Sequence, residues 1–198
     1  MSWGLVFERA PDVTADEIQT ALADLRAAGR AKRTDEQSTP PEPPEPTPTR
    51  VVADADVLAA DCCLDGPSRD ALDTLYDHSW MTLVASDQLV DDAEAVIETV
   101  ADRSLANDWR ERMDEWRQPV DQPAGDQPAL ASAYRGGAMH VLSFDEQLTA
   151  SGAGAALNNH FPISIRTPDA FRLLFDPESL YESEHTDAYS GPDREPRA

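Results

Sequence analysis

Asp54 and Asp56 interrupt the apolar run VVADADVLAA, where a short strand would leave a sheet. Valine, leucine and alanine surround them. A carboxylate taken from water into such surroundings is costly unless a cation or hydrogen-bond donors compensate. Asp92 lies in DQLVDDAEAVIETV. At helical spacing Asp87, Asp91, Glu94 and Glu98 share the polar face, whereas Asp92 follows Leu89 by three residues and precedes Val96 by four, so it borders the apolar face. Asp126 opens DQPALASAYRGG with Leu130 and Ala133 on its own face, and Asp145 ends the apolar stretch MHVLSFD. Each has a plain alternative: Asp56, Asp126 and Asp145 could cap the backbone that follows, and Asp92 could reach water. Acids are common in this chain, 38 Asp and Glu among 198 residues, so position rather than identity singles these out. Carboxylates gathered at one sheet edge repel unless a cation sits among them, and all-oxygen ligands favour Mg2+ or Mn2+. Such an ion lowers the pKa of water and steadies an in-line attack on a phosphodiester. The candidate catalytic set is Asp54, Asp92, Asp126 and Asp145, and the candidate metal set adds Asp56.

Those carboxylates can meet only if strands and helices bring them to one edge. Val51-Val52-Ala53, Thr82 to Ala85, Met139 to Phe144 and Ile163 to Ile165 read as short strands. Between them lie helix patterns: Pro67 to Tyr76, with Ala71, Leu72 and Leu75 on one face; Asp87 to Val100, with Leu89, Ala93, Val96, Ile97 and Val100; Leu105 to Trp116; and Asp126 to Arg135, ended by Gly136-Gly137. A last helix starts at Thr167-Pro168-Asp169 and runs through Phe171 and Leu174. Apolar strands alternating with helices predict a three-layer α/β/α domain around a central parallel sheet. In such sheets ligands bind beyond the carboxyl ends of the strands, which is where Asp54 and Asp145 fall.

The ends read differently. Thr14-x-x-Glu17 is a capping box, and Ile18, Ala21, Leu22 and Leu25 follow at helical spacing, predicting a helix from Thr14 to Ala28. Trp3, Leu5 and Phe7 alternate, as in a short strand or docking segment. Residues 1–33 thus form an amphipathic arm, too short to fold alone. The stretch TDEQSTPPEPPEPTPT predicts an extended, solvated spacer over 34–49. The α/β domain spans 50–178, and the polar segment 179–198 reads as a disordered acidic tail.

Net charge is −22, and the cations are nearly all arginine, Lys32 being the only lysine. Such acidity with lysine depletion is the signature of a halophilic protein from a salt-rich cytoplasm, where a Debye length of about 3 Å near 1 M salt screens self-repulsion. A basic partner is the alternative source of that charge. The lack of a long apolar run excludes a membrane span, and MSWGLVFERA lacks the features of a signal peptide, so a cytoplasmic protein without a membrane partner is expected. Cys62 and Cys63 are adjacent and have no metal-ligand spacing; they read as small buried residues. The histidines are scattered, which disfavours a zinc cluster.

Taken in order, RVVADADVLAA, LVASDQLVDDAEAVIE, GDQPALASAYRGGAMHVLSFDEQL and SIRTPDAFRLLF resemble a PIN domain over roughly Arg50 to Pro177, with looser agreement at 101–122. The resemblance implies a PIN-like α/β/α nuclease fold and cleavage of RNA with Mg2+ or Mn2+. It implies that Asp54 is the acid of the first strand, Asp126 the acid opening a later helix, Asp145 the acid after the VLSF strand, and Asp56 an accessory acid. The family usually has glutamate where this chain offers Asp92, one methylene shorter. It also implies a homodimer, and for toxin members an antitoxin partner, which the N-terminal arm could meet. An acidic protein binding RNA needs local cations. Arg110, Arg112 and Arg117, with Trp109 and Trp116, form one candidate RNA-facing patch, and Arg135 is another candidate; intrahelical ion pairing is the competing reading of the first. Three functions follow: a ribonuclease, a PIN-like module without catalysis that binds RNA or protein, or the toxin of a toxin–antitoxin pair.

Overall fold

Val51, Val52 and Ala53 are fully buried, as are Val84 and Ala85 of the next apolar run and Val141 and Leu142 of a third. Strands buried on both sides suit a parallel sheet covered by helices. The structure is a computed structural model, and it describes residues 2–29, 42–122, 127–149 and 162–197. Its strands are β1 (Thr47–Ala53), β2 (Thr82–Ser86), β3 (Gln118–Val120), β4 (Ala138–Leu142) and β5 (Ser164–Arg166). They form one parallel sheet in the order β3-β2-β1-β4-β5. Register pairs Val51 with Leu83, Ala53 with Leu142, and Leu142 with Arg166. The chain moves outward from β1 to β3, then returns to the other side of β1. The topological switch point therefore lies between β1 and β4, the place where open α/β sheets bind ligands.

Helices cover the sheet in a three-layer α/β/α arrangement. They are α1 (Trp3–Phe7), α2 (Ala15–Gly29), α3 (Ala55–Cys63), α4 (Pro67–Tyr76), α5 (Asp87–Val100), α6 (Arg103–Trp116), α7 (Pro128–Gly136), α8 (Glu146–Thr149), α9 (Pro168–Leu174) and α10 (Pro177–Glu184). Every residue of α3 is buried, as befits a helix enclosed by α2, α4 and α5. Its Cys62 and Cys63 are buried and unbridged. The amphipathic face of α5 closes over it through Leu89, Ala93, Val96 and Ile97. Helix α7 crosses β2, β1 and β4. A Cβ at Gly136 would lie 2.2 Å from Val84 Cγ1, so this close crossing requires glycine. Gly137, at φ 64°, then caps α7 in the left-handed region and turns the chain into β4. No described helix is long and apolar enough to cross a membrane.

The start of the arm and the tail differ from expectation, whereas α2 forms where expected. Trp3 to Phe7 is helical, not extended. The rings of Trp3 and Phe7 are four apart, so a helical turn stacks them at 5.7 Å, while Leu5 is left half exposed. The Thr14–Glu17 capping box forms: Thr14 N–H donates to Glu17 Oε2 at 2.8 Å, and Glu17 N–H to Thr14 Oγ1 at 3.3 Å. Helix α2 buries Ile18 and Leu22, and α1 buries Trp3 and Val6. Each such side chain contributes about 1.5–3 kcal/mol, so the arm is part of the core. The first residues of the spacer lie outside the described residues. Its last ones, Thr47 to Thr49, belong to β1, because an extended proline-rich backbone is already close to strand geometry; Thr47 N–H donates to the Gly137 carbonyl at 2.9 Å.

The tail expected to be disordered instead holds helix α10, capped by Asp176, and then docks. Tyr189 Oη lies 2.6 Å from His78 Nε2. Arg197 is fully buried, with Nη1 and Nη2 donating to Asp61 at 2.9 and 2.7 Å and Nε to Asp73 at 2.7 Å. The rings of Trp3, Phe7, Tyr76 and Trp116 surround its guanidinium at 5.1–5.9 Å. Polar composition hid this contact, because the anchor is a buried charge pair rather than an apolar stripe.

Candidate metal-binding and catalytic site

Asp54 leaves β1 and caps α3. Its amide donates to the Leu142 carbonyl at 2.8 Å, continuing the β1–β4 ladder one step past the strand. Its carboxylate is fully buried. Oδ1 accepts from Ala55 N–H at 2.8 Å and from Arg26 Nη2 at 2.7 Å, and Oδ2 accepts from Ser143 Oγ at 3.2 Å. The first turn of α3 also presents Asp56, whose Oδ1 accepts from Val57 N–H at 2.7 Å and Oδ2 from Phe144 N–H at 3.1 Å. Asp56 thus ties the start of α3 to the exit of β4. Burial, and next the charge of Asp54, push its carboxyl up to about 8, against the amide donors and Arg26.

Asp92 approaches from α5. Its side chain is 15% exposed, and it accepts from Gln88 Nε2 at 2.7 Å and from Arg26 Nε at 3.4 Å. One guanidinium from the last turn of α2 therefore bridges acids from two other elements. Burial works against the charge of Arg26, but Asp54 first, then Asp92 and Asp56, outweigh it and hold the group above its ordinary value. Asp145 stands just past β4. Its amide donates to Ser143 Oγ at 3.0 Å, and its Oδ1 accepts from the Gln147 amide at 2.8 Å. It therefore fills the capping role, one residue from Phe144 and next to the cluster. Asp126 lies outside the described residues.

The switch point thus gathers Asp54, Asp56 and Asp92 around Arg26, with Ser143 linking Asp54 to Asp145. Sequence reasoning missed Arg26 and Ser143. Ser143 was signalled only by its place at the strand exit in VLSFD. Arg26 read as one more arginine in the last turn of a helix, a position that suits the dipole. Among the described residues, no three acidic, cysteine or histidine side chains already stand in a metal-holding array. The donor set nonetheless fits a hard divalent cation in kind: Asp54 and Asp92 supply carboxylate oxygens and already share one cationic group.

The arginines of the expected RNA-facing patch at α6 are engaged in ion pairs. Arg110 donates to Asp91 at 2.6 Å, Glu94 at 3.0 Å and Asp114 at 2.9 Å. Arg117 is 6% exposed and binds Asp87, Asp114 and the Ala85 carbonyl. Arg112 pairs with Glu115. Trp109 is fully buried, and Trp116 packs edge-on against Trp3 and Tyr76. Arg110 and Arg117 brace α6 against the acidic surface of α5 and the end of β2, whereas the pair of Arg112 stays within α6. Arg135, by contrast, is half-buried beside Tyr134, 5.6 Å from its ring centroid.

Fold and site define an α/β protein with a carboxylate cluster at the switch point of a parallel sheet. Over residues 45–197 the chain matches DUF7384, a family of unknown function, and it belongs to that family. The match begins just before β1 and takes in the docked tail, whereas α1, α2 and Arg26 precede it. No curated protein and no solved structure matches the chain.

Proposed function

We propose that this chain is a metal-dependent ribonuclease of the PIN type, cleaving RNA phosphodiester bonds at the aspartate cluster. One observation carries the reading: Asp54 and Asp92, from different elements, share a single cationic group at the carboxyl edge of a parallel sheet, at its switch point. The order of acidic motifs that resembles PIN domains supports it further.

In this reading Asp54 and Asp92 hold Mg2+ or Mn2+, with Asp126 and Asp145 completing the set and Asp56 assisting. The ion would supply Lewis-acid polarisation of the phosphodiester and a lowered pKa for the attacking water. The protein does the positioning. Ser143 Oγ and Ala55 N–H fix the two oxygens of Asp54. Gln88 Nε2 orients Asp92. The amides of Val57 and Phe144 hold Asp56, so strand exit and helix start cannot drift apart. RNA would lie across the carboxyl edge of the sheet; the candidate contact Arg135 sits in the last turn of α7, just before β4, and so at the opposite, amino edge.

The alternative is a PIN-like module without catalysis, binding RNA or protein. The observation favouring it is that Arg26 already pairs with Asp54 and Asp92. Cleavage of single-stranded RNA in Mn2+ separates the two readings. Asparagine caps helices as well as aspartate, so Asp54→Asn keeps the fold. The nuclease reading expects wild type to cleave, and Asp54→Asn or chelator to reduce cleavage to background. Equal rates in wild type and Asp54→Asn would remove it.

A further inference from the structure

We propose that Arg26 is a built-in plug: the guanidinium delivered by the N-terminal arm occupies the seat of the divalent cation and must leave before metal binds. This regulatory contact rests on the metal-binding reading of Asp54 and Asp92.

Helix α2 reads ADEIQTALADLRAAG, with Asp16, Glu17 and Asp24 as its acids and Arg26 as its single cation. An acidic helix docked on an acidic domain therefore turns its one positive charge into the carboxylates. Arg26 Nη2 donates to Asp54 Oδ1 at 2.7 Å and Nε to Asp92 Oδ2 at 3.4 Å. A hard divalent ion takes carboxylate oxygens at about 2 Å. A guanidinium and an ion cannot both use Asp54 Oδ1, which also accepts from Ala55 N–H.

The anchoring of α2 allows release without unfolding. Ile18 and Leu22 are buried in the middle of the helix, whereas Arg26 sits in the last turn, on a long stem whose side chain is 20% exposed. The exposed part opens a route to solvent. Swinging that side chain, or fraying the final turn, would withdraw the guanidinium from Asp54 and Asp92 while the arm stays docked. Seated arginine and bound metal are then mutually exclusive, and the apparent metal affinity is lowered by the fraction of molecules in which Arg26 is seated.

The test is Mn2+ binding by isothermal titration calorimetry on the full chain, with Mn2+ electron paramagnetic resonance as a second readout. Proteins compared are wild type, Arg26→Ala and Arg26→Ala/Asp54→Asn; Arg26→Met, which keeps the stem, replaces Arg26→Ala if circular dichroism shows that variant unfolded. Removing a charge-assisted donor pair should tighten Mn2+ binding at least about tenfold, and the double variant should lose that binding. Methylguanidinium should weaken Mn2+ binding to Arg26→Ala competitively. Equal affinity in wild type and Arg26→Ala, or weaker binding in Arg26→Ala, would overturn the plug while leaving the metal site standing. Absence of binding in the folded variant would overturn the metal site and the plug together. Mn2+ binding unaffected by Asp54→Asn would place the ion elsewhere and also overturn the proposal.

Discussion

Replacing Arg197 by alanine should strip the molecule of its C-terminal anchor. Both Arg197 and Asp61 have fully buried side chains, and removing one partner of a buried pair costs about 3–5 kcal/mol. Asp61 would keep only Arg69, at 3.5 Å. It can also escape its charge by taking a proton, since burial already pushes its carboxyl above the ordinary 3.8. Each pH unit above that value adds about 1.4 kcal/mol to the cost of neutralising it, which caps the penalty at about 4 kcal/mol near pH 7. The sign follows. A carboxyl raised in the folded state contributes stability below its unfolded value and loses it as pH rises, so the deficit of Arg197→Ala should shrink as pH falls toward 4. In a chain of this length each kcal/mol moves Tm by about 2–4 °C. Thermal and urea unfolding followed by circular dichroism should therefore show Arg197→Ala about 6–16 °C less stable at pH 7. Arg197→Met with Asp61→Leu should recover much of the loss, because no charge is then left unpaired. A single variant within about 0.5 kcal/mol of wild type would mean that the tail does not dock and that the argument about Asp61 is wrong.

Gly136→Ala should destabilise by about 1–3 kcal/mol through overpacking, since its Cβ would meet Val84 Cγ1 at 2.2 Å; adding Val84→Ala should relieve the clash, and urea unfolding of both variants checks this. Arg117→Ala should lower stability by about 1–3 kcal/mol without changing RNA affinity, because its guanidinium is spent on Asp87, Asp114 and the Ala85 carbonyl; fluorescence anisotropy with labelled RNA beside thermal unfolding separates the two effects.

The sheet was legible where strands are apolar on both faces. Val51 to Ala53 and Thr82 to Ala85 need burial whichever way they turn, and they lie in β1 and β2. Strand β3 was not legible: Gln118-Pro119-Val120 has no apolar run, and its proline suits only an edge. Helix α3 was hidden for the opposite reason, since burial all round erases the periodic face. Trp3, Leu5 and Phe7 fit both an alternating strand and a helical turn; packing of Trp3 against Trp116 accompanies the helix. Asp54 and Asp92 could be picked out because each breaks a local apolar pattern. Their common partner could not, because Arg26 lies 28 residues from Asp54 and 66 from Asp92 and breaks no pattern on its own helix. The tail was misread because Arg197 is buried by charge and by aromatic rings drawn from α1, α4 and α6.

Crystals of wild type and Arg26→Ala soaked in Mn2+ would test the central claim most directly, through the anomalous scattering of the ion. The account expects a peak about 2 Å from carboxylate oxygens of Asp54 and Asp92, stronger in Arg26→Ala. No peak in either crystal, or a peak bound by other residues, would contradict it.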